Sequence, residues 1–147
     1  MTRNKSIQTD AALCLDCQAC MLVCSLHHER ECSLGLARLA VSKDMARYEF
    51  EILVCQHCES PDCMAACPSD AMLLDDRGVV IILDDQCDRC GACADSCPHD
   101  AIFHNAAQDR YLKCDLCAGR DEGPLCVELC PVGALTLVDA EQVRVEV

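Results

Sequence analysis

Tryptophan is absent from this sequence, and Tyr48, Tyr111, Phe50 and Phe103 supply all of its large aromatic bulk. So few rings cannot fill an interior of ordinary density. The 52% of residues that count as hydrophobic include 17 cysteines. With these set aside, roughly 40% of the chain is apolar, which is lean for a self-sufficient core. No hydrophobic run approaches the length of a membrane-spanning helix; the longest, residues 79–83, is strand-sized. The segment MTRNKSIQTDAALC has neither an apolar signal core nor a twin-arginine pair. A cytoplasmic location without direct membrane insertion is therefore expected.

Positive charge is also scarce. Twelve Lys and Arg stand against 25 Asp and Glu, for a formal net charge of −13. Such a balance argues against nucleic acid and against an anionic membrane surface as partners. The acidic residues are spread along the chain, as on a solvated surface. There is no phosphate loop, no GxGxxG and no nucleophile–base constellation, so no catalytic residue is expected.

What the chain does have is cysteine, and its spacing repeats. The first group is Cys14-x2-Cys17-x2-Cys20-x3-Cys24. The second is Cys55-x2-Cys58-x4-Cys63-x3-Cys67, followed by Pro68. The third is Cys87-x2-Cys90-x2-Cys93-x3-Cys97, followed by Pro98. The fourth is Cys114-x2-Cys117-x8-Cys126-x3-Cys130, followed by Pro131; only Cys32 is left over. An odd count would leave a thiol unpaired in a disulfide scaffold, and reduced thiols binding metal fit better. Zinc accounts for isolated C-x2-C pairs but not for the repeated third and fourth cysteines.

Groups one and three have the bacterial ferredoxin spacing, and group three has its proline. A C-x2-C-x2-C loop converges three thiolates on one [4Fe–4S] cubane. The cysteine three residues on is expected to enter a short helix and ligate a different cluster, so sites come in pairs that exchange their fourth ligands. Sixteen cysteines thus predict four [4Fe–4S] clusters. Spacing alone permits group two to pair with three and one with four, or one with two and three with four.

After each Cys-Pro the pattern recurs as a short helical turn, a strand, a polar turn and a returning strand. The last copy places its strands near residues 135–138 and 143–147. The first group lacks the proline. Its strands are expected at residues 38–41 and Glu49–Val54, after a loop with a helical turn over residues 25–37. The expected fold class is α+β: two bacterial-ferredoxin-like two-cluster modules of short helices and β-hairpins, with the clusters as core.

The four groups in this order, with CQHCESPDC at 55–63, KCDLC at 113–117 and PLCVELCP at 124–131, resemble the four-cluster electron-transfer subunits of molybdenum and tungsten pterin oxidoreductases. The segment CSLHHERECSLGLARL is similar to a compact subgroup, the small iron–sulfur subunits of tungsten aldehyde oxidoreductases and the related benzoyl-CoA reductases. The resemblance implies how the cysteines are shared. Cys55, Cys58, Cys63 and Cys97 would hold one cluster, and Cys67, Cys87, Cys90 and Cys93 the next. Cys14, Cys17, Cys20 and Cys130 would hold a third, and Cys24, Cys114, Cys117 and Cys126 a fourth. Residues 1–147 would then be a single four-cluster domain. Within it, residues 55–113 form a central module, and residues 10–54 with 114–147 form an outer one.

The resemblance also implies a non-catalytic subunit that relays electrons from a large tungsten or molybdenum pterin subunit, of aldehyde oxidoreductase type, to a downstream acceptor. A flavin subunit and head-to-tail stacks of this chain are further partners on that reading. A relay serving a carbon monoxide dehydrogenase or hydrogenase is the alternative. Clusters that serve only folding are a third. Cys32 reads as a free thiol, His27 and His28 as loop residues, and His57 as packing. Arg110, Lys113 and Arg120 read as surface charges flanking the fourth group.

Overall fold

A computed structural model describes residues 5–139 of the chain. Eight short strands and four helices follow one another as β1 (Lys5–Thr9), α1 (Ala19–Glu29), β2 (Leu39–Asp44), β3 (Glu49–Val54), α2 (Asp62–Ala66), β4 (Met72–Leu74), β5 (Val80–Ile82), α3 (Ala92–Ser96), β6 (Ile102–Asn105), β7 (Arg110–Lys113), α4 (Leu125–Leu129) and β8 (Leu135–Asp139). A single 3₁₀ turn, Leu34–Leu36, precedes β2. All strand pairing among the described residues is antiparallel and two-stranded: β2 with β3, β4 with β5, β6 with β7, and β1 with β8. This α+β arrangement of small elements agrees with the expected class.

Three pairs are local hairpins, and one is not. Strand β1 runs alongside β8 from Lys5↔Asp139 to Thr9↔Leu135, joining the two ends of the described chain. The sequence reading missed β1. It expected the strand after Pro131 to pair with residues 143–147, which lie outside the described residues. Burial explains the pairing after the fact: Ser6 and Ile7 are buried between exposed Lys5 and Gln8, with Ile7 opposite Leu137. One buried Ile contributes about 1.5–3 kcal/mol, so this side chain anchors the junction.

Helix α1 packs against α4, and α2 against α3. Groups one and four therefore face each other, as do groups two and three. The interior is one body in part, because Ile7, Met21, Leu39 and Ile52 share a cluster with Cys55, Val79 and Ala101. A smaller cluster gathers Cys63, Met72, Val80, Cys93 and Ile102.

Local geometry corrects two expectations. The fourth cysteine of groups two, three and four does not enter a helix. Cys67, Cys97 and Cys130 are instead the extended residues that end α2, α3 and α4, as a following proline requires, since it disfavours helical backbone before it. Cys24, with no proline after it, does lie inside a helix, and α1 runs on to Glu29 where a loop was expected. Proline in the three later groups stops what Ser25 allows to continue. The segments after each Cys-Pro are turns rather than helical turns.

Candidate metal centres

Each C-x2-C loop turns by the same device. The residue before the second cysteine has left-handed backbone, with φ of 54° at Asp16, 47° at His57, 61° at Arg89 and 56° at Leu116. Non-glycine residues adopt this region at a cost that surrounding contacts must offset. Here it points amides at sulfur. The N–H groups of Asp16, His57 and Leu116 donate to the Sγ atoms of Cys14, Cys55 and Cys114 at 3.3–3.4 Å.

A second device repeats after the prolines. Asp70, Asp100 and Gly133, each three residues past the last cysteine of its group, have φ of 50°, 50° and 66°. Aspartate and glycine suit this conformation. The following alanine then folds back, and the amides of Ala71 and Ala134 donate to Cys67 Sγ and Cys130 Sγ at 3.3 Å. Ala71, Ala101 and Ala134 are all buried. The recurring Ala is thus a packing requirement directly beneath the sulfur.

Eight of the sixteen cysteines line two cavities in fours, and others neighbour a cysteine of another group. Cys14, Cys17, Cys20 and Cys130 line one cavity with Val41, Ile52 and Leu135. Burial pushes the Cys20 thiol up to about 11, and the nearby Cys14, Cys17 and Cys130 add to it. Cys55, Cys58, Cys63 and Cys97 line a second cavity. There burial pushes Cys63 up to about 11, Cys55 and Cys97 raise it further, and Lys113 opposes them. In a third neighbourhood Cys126 has Cys24, Cys117 and Cys20 close by, and Cys114 has Cys126. Burial pushes Cys126 up to about 12, with Cys24 and Cys117 contributing. In the fourth, burial raises Cys93, and Cys87 and Cys67 raise it too. Cys90 is exposed.

Four crowded, half-buried thiols resist losing their protons together. Iron removes that conflict by supplying positive charge to thiolates. The donor set suits a [4Fe–4S] cubane: four sulfurs, mainly apolar walls and amides aimed at sulfur. Cys32 is exposed and belongs to none of the four neighbourhoods.

The structure also reveals supporting residues that spacing did not mark. His28, on the last turn of α1, bonds Asp115 Oδ1 through Nε2 at 2.8 Å, and its Nδ1 lies 2.9 Å from the Cys24 carbonyl and 3.7 Å from Cys24 Sγ. Burial opposes charge on this ring, but the Asp115 and Cys24 contacts outweigh it and raise His28 to about 9. Arg38 reaches Asp115 at 3.4 Å and Glu29 at 3.8 Å, and Glu29 in turn holds Arg110 at 2.7 Å. These pairs tie α1 to the loop of group four and to β7. His27, His28 and Cys117 bring ligand atoms within 4.8 Å of one another. Cys117 already belongs to a four-thiol group, so the histidines flank that group.

His57 is buried, with the Val80 N–H donating to its Nδ1 at 3.4 Å. Burial, followed by the charge of Lys113, lowers its pKa to about 3, so the ring is neutral. The reading of His57 as packing therefore agrees with its burial. The reading of Lys113 as a surface charge does not hold: it is 4% exposed. Its one sequence signal was its place directly before Cys114.

The profile of the family described as "4Fe-4S dicluster domain" matches residues 46–140. The chain belongs to this family. Among curated relatives, it is 33% identical to "Putative electron transport protein YsaA" of Escherichia coli K12, over 96% of this chain and 94% of that one. It is 30% identical to "Thiosulfate reductase electron transfer subunit PhsB" of Salmonella typhi, over 92% of this chain and 76% of that one. Among solved structures, one chain of the active site complex BamBC of benzoyl coenzyme A reductase with benzoyl-CoA is 31% identical, with a TM-score of 0.57. That similarity covers 92% of this chain and 79% of the other. The chain is thus an iron–sulfur electron-transfer chain, similar to named electron-transport and electron-transfer subunits.

Proposed function

We propose that this chain holds four [4Fe–4S] clusters through sixteen cysteines and relays electrons from a large tungsten or molybdenum pterin subunit of aldehyde oxidoreductase type. The observation that carries this reading is that two cavities are each lined by four cysteines, one of the four coming from a different group; the other eight are assigned by the same rule. The sets are Cys14, Cys17, Cys20 and Cys130; Cys24, Cys114, Cys117 and Cys126; Cys55, Cys58, Cys63 and Cys97; and Cys67, Cys87, Cys90 and Cys93. The two helix pairs support an outer module, residues 10–54 with 114–147, and a central one, residues 55–113. When bound, each cluster takes up and releases one electron. The chain's own residues hold the iron, aim amides at sulfur and exclude water.

The likeness to a BamBC chain favours the compact subgroup suggested by CSLHHERECSLGLARL. The relatives named for thiosulfate and dimethyl sulfoxide reductases support the wider pterin class. No helix among the described residues is long and apolar enough to cross a membrane, which fits a partner that provides any attachment. A flavin subunit downstream and head-to-tail stacking of copies complete the reading. The scant protein around the clusters supports stacking.

Anaerobic purification tests cluster number and partner together. About sixteen irons and as many sulfides per chain are expected, and dithionite should give electron paramagnetic resonance signals from reduced clusters. A tungsten- or molybdenum-containing large subunit should be recovered by native affinity capture. Nickel in that partner would transfer the assignment to a carbon monoxide dehydrogenase or hydrogenase relay. Clusters that dithionite leaves silent would reduce their role to folding. Light scattering that shows one discrete small complex at every concentration would refute stacking.

A further inference from the structure

A buried ammonium lies against one of the four-thiol sites. Lys113 closes β7, and its Nζ donates to the carbonyl oxygen of Val80 and, at 3.1 Å, to that of Cys114. None of the ion pairs among the described residues includes it. A buried cation held only by carbonyl dipoles is costly unless negative charge lies near. Lys113 lines the same cavity as Cys55, Cys58, Cys63 and Cys97, and among the described residues it is the only Lys or Arg that does. The cavity of Cys14, Cys17, Cys20 and Cys130 has neither Lys nor Arg in its lining.

Val80 organises this corner. Its carbonyl accepts from Lys113, while its N–H donates to His57 Nδ1. That second bond assigns the ring proton to Nε2. Lys113 is the one Lys or Arg among the described lining residues, and its carbonyl partners hold it in place.

Resting on the cluster assignment above, we propose that Lys113 sets the reduction potential at the Cys55, Cys58, Cys63 and Cys97 site, raising it above that of the Cys14, Cys17, Cys20 and Cys130 site. Reduction adds one negative charge in a low-dielectric interior, and a fixed cation favours that state over the oxidised one. The attraction falls with distance. The site that includes Cys114, which adjoins Lys113 in the chain, is raised less. An incoming electron would favour the site beside Lys113 over the Cys14, Cys17, Cys20 and Cys130 site.

The test is a redox titration of the intact complex followed by electron paramagnetic resonance, with Lys113→Gln, Lys113→Met and Lys113→Arg compared. Glutamine keeps a donor for the carbonyls and loses the charge; arginine keeps the charge. A Cys58→Ser variant marks which one-electron step belongs to this site. Both neutral variants should lower that step by at least tenfold in reduced-to-oxidised ratio, about 59 mV for one electron. The Cys114 site should shift less, the other two should not shift, and Lys113→Arg should stay close to the parent. Equal shifts at all four sites, or none, would overturn the proposal. So would failure of both neutral variants to assemble clusters, which would make Lys113 an assembly residue. Fewer than four one-electron steps in the parent would instead refute the cluster assignment on which the proposal rests.

Discussion

At the scale of single residues, sixteen of the seventeen cysteines belong to the four spaced groups and Cys32 does not. Cys32 is exposed and apart from the four groups, so Cys32→Ser should leave iron and sulfide contents unchanged. Cys97→Ser removes one thiol from the second cavity and should lower bound iron by about a quarter, one cubane in four. Iron analysis with electron paramagnetic resonance separates the two outcomes. Gly91 offers a different kind of test. Its φ is +80°, and an added Cβ would come within 2.7 Å of the Tyr111 hydroxyl. Gly91→Ala should therefore cost about 1–3 kcal/mol in left-handed strain and crowding, read as a lower midpoint in chemical denaturation of the holoprotein. Spacing made the sixteen cysteines legible because ligation constrains sequence over a few residues. Lys113 and His28 were not legible, because what matters for each is burial and a contact made across the fold. His28 meets Asp115 from another group entirely.

At the scale of elements, the hairpins were read well and the helices less well. The β2–β3 pair was expected within a few residues of its place, and Ile52 and Val54, two apart, are the buried residues of β3. The short helices inside each group have no such period; at five residues apiece, α2, α3 and α4 are too brief to show one. Their ends are fixed by proline and by the third and fourth cysteines. The β1–β8 pair was missed because its strands lie at opposite ends of the chain. That pair makes a specific prediction. Ile7→Ala empties a fully buried position between the two strands and should destabilise the holoprotein by about 2–5 kcal/mol, measured by denaturant unfolding under anaerobic conditions. An exposed neighbour on the same strand, Gln8→Ala, should change stability by less than about 0.5 kcal/mol.

At the scale of the whole molecule, cysteines occupy places that large side chains hold elsewhere. Both interior clusters count several cysteines among their buried members. Stripping iron leaves crowded thiols where the core should be, and small metal-dependent domains unfold when their metal is removed. Chelation of the reduced protein should therefore abolish most ordered structure. A well-dispersed NMR spectrum from the metal-free, reduced chain would contradict this. The salt links from Glu29 and Asp115 to Arg38, Arg110 and His28 join the helix of group one to group four. They cannot replace the metal, since partly exposed pairs contribute about 0–1 kcal/mol each.

The β1–β8 pairing also sets an order of events during synthesis. On the proposed assignment, every thiol of the central module has left the ribosome once Cys97 has emerged, and its contacts are local. The outer sites need Cys14 and Cys130, and Ile7 must wait for Leu137. Closing so long a loop is entropically slow compared with closing a short one. Iron delivered to the growing chain would fill the middle first, while the first group stays an open, oxygen-sensitive set of thiols until the last strand arrives. The protein's ends are thus its vulnerable period as well as its seam.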